Sequence, residues 1–244
     1  MAAAAEQYSI GSSLQKQDGL KLIELIQPKE KSRVLDLGCG TGYLSSVLAE
    51  TVGPGGEVIA VDPDKERIKT AGEKYGGKNI TFLEGSSDNF PASQYDVVFS
   101  NYVLQWIKNK KCTFDAVYQN LSPGGCFAFI AVAEQPVILL QLCDLMGPAK
   151  AKQMNEKFEF VPSEVYETLA KECGFLVKFK DATPTNLAFP NTKLLMDWWF
   201  ATTHGAFDPA LVDEVTLESF TKHYEGKPVE LEVPIVTFLL TKSC

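Results

Sequence analysis

A doubly wound α/β fold around a mostly parallel sheet is what this sequence predicts, and three observations predict it. Short apolar runs alternate with helix-forming stretches between residues 33 and 133; that alternation is the pattern of a sheet with helices on both faces. The runs are nearly continuous in Val, Ile, Leu and Phe, as strands buried on both sides require. The first of them, "VLDLGCGTG" at 34–42, opens at its end into three alternating glycines, a turn suited to holding a ligand at the carboxyl edge of a parallel sheet.

The elements follow in order. "SLQKQDGLKLIELIQ" (13–27) places Leu14, Leu20, Ile23 and Ile26 near helical spacing, so an amphipathic helix is expected there, ended by Pro28. "SRVLDLG" is the first strand and Tyr43–Thr51 a helix. "GEVIAVD" is a strand, "PDKERIKTAGEKY" a helix, and "NITFLEG" and "YDVVFSN" are the third and fourth strands. "KCTFDAVYQNLSPGG" reads as a helix closed by a turn, and "CFAFIAVA" as the fifth strand. After residue 135 the rhythm changes. A helical "PVILLQLCDLMG" leads to a charged linker around 150–157, then to a capped helix, "PSEVYETLAKECGF", ending at Gly174. "LVKFKDAT" is a strand, 191–225 is helical in two pieces parted at "HGAFDP", and "PIVTFLLTK" alternates as an edge strand would.

Composition narrows the classes. Of 244 residues, 45% are hydrophobic and 22% charged, the balance of a globular chain with a large core. Twenty-three Lys and Arg against 31 Asp and Glu give a net charge of −8, which disfavours a nucleic-acid partner, because phosphates need neutralising. The six cysteines, at 39, 112, 126, 143, 173 and 244, form no Cys-x-x-Cys pair, so neither a zinc site nor a disulfide framework is expected, and no metal is called for. "MAAAAEQYSIGSS" lacks the basic start and apolar core of a secretion signal, and the apolar stretch 127–143 is broken by Glu134, Gln135 and Pro136. No membrane span is expected, and the expected compartment is the cytoplasm.

Asp36 sits two residues ahead of the first glycine of the loop. A dinucleotide would bring a doubly negative pyrophosphate to this turn, and the carboxylate would repel it. S-adenosylmethionine instead brings an ammonium and a sulfonium, for which a neighbouring carboxylate is an attraction. The spacing here is also G-x-G-x-G, without the extra residue of the dinucleotide fingerprint. Asp62 ends the second strand, where an acid can accept both ribose hydroxyls of an adenosine; as an alternative it caps a helix starting at Pro63.

"VLDLGCGTG", "VIAVDPD", "ITFLEGSSDNFP", "YDVVFSNYVLQWI" and "LSPGGCFAF" together resemble, in order and spacing, the motifs of class I S-adenosylmethionine-dependent methyltransferases over residues 33–130. "SNYVLQW", with "SSLQ" upstream, is similar to the carboxyl methyltransferases of trans-aconitate, juvenile hormone acid and malonyl-carrier protein. The resemblance implies a Rossmann-like sheet of seven strands with an antiparallel last strand and a helical lid. The sequence is expected to form one domain over 1–244: a helical cap at 1–30, a cofactor-binding core at 31–135 and a substrate-side half at 136–244, with the apolar helical region at about 186–225 as a lid. The resemblance also implies that Gly38, Cys39 and Gly40 line the methionine portion of the cofactor with Asp36 nearby, that Asp62 holds the ribose beside Pro63, and that Tyr8 lies over the cofactor. The family's Gly-Asp-Ala is here Gly85-Ser86-Ser87, so an adenine contact falls to the neutral Ser86 and Ser87, or to Asp88. Ser100 and Asn101 end the fourth strand, either near the transferring methyl or as core packing.

The resemblance points to methylation of the carboxylate of an organic acid, and the apolar residues around 194–200 favour a lipophilic or mid-sized one. Such an acceptor is already ionised at neutral pH and needs no base. It does need hydrogen-bond donors. Gln15 offers an amide and Trp106 an indole N–H, although a polar helix position and a core Trp fit the same residues. Apolar residues at 194, 195, 198, 199 and 200, with Ile138, Leu139, Leu142 and Met146, either wall a greasy pocket or pack helices. The alternatives are an amine, phenol or protein acceptor, or a protein that binds S-adenosylmethionine without catalysis.

Overall fold

The computed structural model describes residues 2–77, 79–203 and 205–243, with side chains from residue 14 onward. Helix α1 (Ala2–Ile26) precedes β1 (Arg33–Leu37), α2 (Tyr43–Val52), β2 (Glu57–Asp62), α3 (Lys65–Tyr75) and β3 (Ile80–Glu84). Then come β4 (Tyr95–Asn101), a 3-10 turn at Leu104–Trp106, α4 (Lys110–Asn120) and β5 (Leu121–Val132). The remainder is α5 (Val137–Leu145), α6 (Pro148–Asn155), α7 (Ser163–Glu172), β6 (Leu176–Asp181), β7 (Thr185–Phe189), α8 (Thr192–Thr202), α9 (Glu214–His223), β8 (Val229–Val233) and β9 (Ile235–Thr241).

Seven strands form one sheet in the order β3-β2-β1-β4-β5-β9-β6. The first five are parallel, and β9 runs antiparallel to both β5 and β6. The predicted sheet is therefore present, with three corrections to its margins. The last strand is not an edge: β9 is inserted between β5 and β6, and the edge is β6, whose mostly exposed "LVKFKD" carries two lysines. Lysines on an edge discourage pairing with another chain. The "LSPGG" stretch is not a turn closing α4 but the start of β5, and Gly124 takes φ 76° there. Residues 148–155 form α6 with Pro148 at its first turn, where the missing N–H costs nothing, so the expected linker is mostly helix. A two-stranded sheet, β7 with β8, was not anticipated.

The strand order reverses between β1 and β4, so a crevice opens at their carboxyl ends. Alternate residues face opposite sides. Val34, Val58, Val97 and Phe99 pack under α1 and α2, while Leu35, Val61, Val98 and Phe127 pack with Phe114 and Tyr166 of α4 and α7. Phe114 meets Phe127, Phe129 and Phe175 edge-on at 5.5, 5.8 and 6.2 Å. Truncating a phenylalanine so placed costs about 3–5 kcal/mol, enough to remove a large share of a typical domain's stability.

Candidate active site

The glycine loop leaves β1 over the strand ends. Gly38 has φ 81°, and a side chain there would run into Val103, so only glycine fits. The loop's amides are already committed. Gly38 and Cys39 both donate to the carbonyl of Val61 (2.8 and 2.9 Å), Gly42 donates to the carbonyl of Cys39 (3.1 Å), and Gly40 donates to Asp62 Oδ2 (2.9 Å). A phosphate cradle works by presenting free N–H groups. This loop turns four of them inward.

Register places Asp36 beside Ala60 and Phe99, one residue short of the strand end. Its side chain is 2% exposed and accepts a hydrogen bond from Ser45 Oγ at 2.6 Å. Burial pushes the Asp36 carboxyl up to about 7, with the charge of Asp62 adding to the rise and the Ser45 bond opposing it. Burial first, then the same two carboxylates, holds the Cys39 thiol far above its ordinary value, so it is protonated and inert. Asp62 is not a helix cap. Its Oδ1 accepts from the amide of Asp64 and its Oδ2 from Gly40, while Asp64 caps α3 by accepting from Glu66 and Arg67. Pro63 therefore lies outside the helix, which begins at Lys65.

A cavity of about 1050 Å³ lies above these groups. It is lined by Asp36, Gly38, Cys39, Gly40, Asp62 and Pro63 on the loop side, and by Gln15, Asn101 and Trp106. Of the predicted residues, these nine share one space. Ser100 does not line it. It is fully buried, and its hydroxyl donates to the carbonyl of Leu37 at 2.9 Å, tying β4 to β1. Ser86 and Ser87 are not among the lining residues, and the Ser86 hydroxyl donates to Asp88. Tyr8 falls in α1 before residue 14, so its side chain lies outside the described residues. Asn101 donates through Nδ2 to the backbone carbonyl of Gln15 at 2.9 Å, while its buried Oδ1 has no hydrogen-bond partner.

Beyond the cofactor-sized space is a second, smaller chamber of about 50 Å³ with no charged side chain in its wall. Gln15, Tyr102, Gln105, Trp106, Trp198 and Thr202 line both spaces. Phe158 lies close to Trp106, its ring tilted at 47° (4.3 Å), and stacks nearly parallel to Trp199 (5.9 Å). The expected greasy wall is thus divided. Leu139 and Trp199 line the small chamber, Phe200 the large one and Trp198 both, whereas Leu142, Met146 and Leu195 are core and Ile138 and Leu194 pack against it. Lys16, Arg67, Lys108 and Lys157 also line the large cavity. Lys16 sits over the Tyr43 ring (5.1 Å), Arg67 faces Asp64 (3.6 Å), and Lys108 donates to the carbonyl of Phe158 (2.7 Å).

A family model described as a methyltransferase domain matches residues 28–193. The chain belongs to the class I S-adenosylmethionine-dependent methyltransferases. Malonyl-acyl-carrier-protein O-methyltransferase 1 of Ilyobacter polytropus is 31% identical over 186 residues, covering 72% of this chain and 69% of its own length. The second such enzyme of that organism is 33% identical over 128 residues, covering 51% of this chain. The chain spans about half the length of several curated relatives it matches, 49% in that case. Among solved structures, phosphoethanolamine N-methyltransferase 2 of Haemonchus contortus, in complex with S-adenosyl-L-methionine, superposes with a TM-score of 0.61 at 19% identity. That match covers 93% of this chain and 53% of the other, and it shows the shared methyltransferase fold.

Sequence reasoning missed Tyr102 and Asp18. Tyr102 follows the predicted Asn101, adopts φ 60° without being glycine, and donates its hydroxyl to Asp18 Oδ2 at 2.8 Å. A bulky residue in the left-handed region marks a constrained position, but no sequence pattern announces it. Gln105 was missed too. Its amide donates to the carbonyl of Tyr102 and accepts from the amide of Val132, cross-tying the 3-10 turn to β5.

Proposed function

We propose that this protein transfers the methyl group of S-adenosylmethionine to a carboxylate oxygen of an organic acid with an apolar body. One observation carries the reading. The cavity joins a space with Asp36 and Asp62 at the strand ends to an uncharged aromatic chamber, and Gln15 and Trp106 stand at the boundary.

The strand-end space fits the cofactor. A buried carboxylate near neutrality, a second carboxylate at the end of the adjacent strand β2 and an unpartnered buried amide oxygen at Asn101 form an acceptor-rich wall. A cation satisfies such a wall, whereas a diphosphate would meet inward-turned amides and two acids. Asp36, Asn101 and the loop carbonyls around Gly38–Gly40 would hold the methionine end, with Asp62 toward the ribose. Bound there, S-adenosylmethionine supplies a methyl group activated by its sulfonium.

What the chain must then do is align and dry. Gln15 and Trp106 orient one carboxylate oxygen of the acceptor by neutral hydrogen bonds, which leave it nucleophilic as a salt bridge would not. Trp106, Phe158, Trp198 and Trp199 wall a chamber of about 50 Å³ that takes a small apolar group next to the carboxylate and keeps water out, while the rest of the acid lies in the larger cavity. Relatives named for O-methylation of malonyl-acyl-carrier protein support an oxygen acceptor.

The test is release of S-adenosylhomocysteine by the purified protein over a panel of aliphatic, aromatic and terpenoid monocarboxylic acids, trans-aconitate, amines and phenols. Apolar monocarboxylic acids are expected to turn over fastest. Turnover confined to amines or phenols, or a preference for aconitate, overturns the reading.

A further inference from the structure

Tyr102 occupies an unusual place. It lines both the cofactor cavity and the aromatic chamber, and it is 8% exposed. Its three polar groups are each committed. The amide donates to the carbonyl of Ile130 (2.8 Å), the carbonyl accepts from Gln105 Nε2 (2.8 Å), and the hydroxyl donates to Asp18 (2.8 Å). The backbone is held at φ 60°, a conformation that a tyrosine keeps only when its surroundings over-determine it.

Asp18 is the other half of the arrangement. It is 5% exposed, in the middle of α1, and its second oxygen accepts from Lys21 Nζ at 3.0 Å. A carboxylate this buried is costly unless it is bonded, and one of its bonds reaches Tyr102, the residue that follows β4. One residue earlier in that strand, Asn101 donates to the carbonyl of Gln15, one turn before Asp18 on the same helix. Gly19 completes the contact, because a side chain there would press on Leu44 and approach Asn101 Nδ2 to 3.2 Å. Two consecutive residues, the last of β4 and the one after it, thus fasten one face of α1, the face that brings Gln15 to the cavity.

We propose that Tyr102 and Asp18 are a positioning pair: the anchored Tyr102 ring divides the cofactor space from the aromatic chamber, and its hydroxyl bond to Asp18 sets the seat of α1 and hence the reach of Gln15 toward the acceptor. The role given to Gln15 rests on the reading above; the seating of α1 does not. Neither residue touches the reacting atoms in this account. Their contribution is geometric, and small displacements of a positioned group carry large rate effects in methyl transfer, where alignment is the protein's main task.

The experiment has two arms with Tyr102→Phe, Asp18→Ala, Asp18→Asn and the double variant Tyr102→Phe/Asp18→Ala. In the first arm, hydrogen exchange is followed by mass spectrometry in the full-length protein with S-adenosylhomocysteine as the probe. Tyr102→Phe and Asp18→Ala are expected to speed exchange in the peptide 14–26 about tenfold, with peptides of β1 and β2 unchanged. The double variant is expected to match the more severe single variant, as partners in one bond do. Asp18→Asn keeps an acceptor oxygen and is expected to recover most of the protection. In the second arm, turnover with the best acid of the panel is expected to fall about tenfold in kcat, with KM for S-adenosylmethionine within twofold of wild type.

Unchanged exchange at 14–26, or acceleration spread equally over β1 and β2, overturns the proposal, as does Asp18→Asn behaving like Asp18→Ala. If no acid is methylated, the carboxylate reading fails while the exchange arm still decides the seating of α1. Should turnover fall in step with cofactor affinity, the pair serves the cofactor site and not the acceptor.

Discussion

Asp36 makes cofactor affinity depend on pH, and the size of the dependence follows from its surroundings. Burial holds its carboxyl at about 7 in the protein without ligand, so about one tenth of molecules carry the negative charge at pH 6 and about nine tenths at pH 8. A cationic cofactor binds the ionised form preferentially. Affinity for S-adenosylmethionine is therefore expected to rise about tenfold between pH 6 and pH 8, or about 1.4 kcal/mol. Calorimetry at pH 7 in two buffers of different ionisation enthalpy is expected to show release of about half a proton on binding. Asp36→Asn removes both effects and weakens binding most at pH 8. Its residual pH profile reports the titration of the ligand's own amino group, which is subtracted. Ser45→Ala deletes the one bond that favours the charged form, so it is expected to move the midpoint upward. Stability shows the opposite sign. The folded state holds a proton that the unfolded chain loses near pH 4, so this group's contribution to stability falls as pH rises from about 4 to 7. Asp36→Asn is accordingly expected to melt higher than the ligand-free wild type at pH 8. Equal affinity of the wild type at pH 6 and 8, or Asp36→Asn binding as tightly as wild type at pH 8, would refute the electrostatic argument.

Three further substitutions probe other parts of the site. Gly38→Ala combines a left-handed backbone with a collision against Val103; it is expected to lose about 2 kcal/mol or more in denaturant unfolding, part of which Val103→Ala restores. Asp62→Ala leaves the amides of Gly40 and Asp64 without acceptors, so both melting temperature and cofactor affinity should drop; a change in affinity alone would argue against the structural bonds. Trp106→Phe keeps an aromatic ring against Phe158 but removes the indole N–H. Its expected signature is a rise in KM for the acid of about tenfold, measured by steady-state kinetics.

The sheet was legible because buried parallel strands announce themselves as apolar runs, and the glycine loop because few residues besides glycine tolerate φ near 80°. The order of the last strands was not legible. β9 alternates buried and half-buried residues, a pattern that an edge strand shows equally well, and only pairing with β5 and β6 distinguishes the two. The helix cap was misplaced by two residues because "DPD" offers two aspartates; the structure gives the cap to Asp64 and frees Asp62 to hold the glycine loop. Ser100, read with Asn101 as a strand-end pair, splits from it because neighbouring strand residues face opposite sides: Asn101 lines the cavity and Ser100 bonds across to β1. The Tyr102–Asp18 bond joins residues 84 positions apart, and no local pattern encodes such a contact. The small sheet of β7 and β8 was obscured in the same way, since its two short strands are separated by α8 and α9.

The chemical identity of the product tests the central claim most directly. Incubated with methyl-labelled S-adenosylmethionine and an apolar monocarboxylic acid, the protein is expected to yield a labelled compound one methyl heavier than the acid, which mild alkali converts back to the acid with release of labelled methanol. A labelled product that survives alkali unchanged would place the methyl on nitrogen, carbon or an ether oxygen and contradict the account.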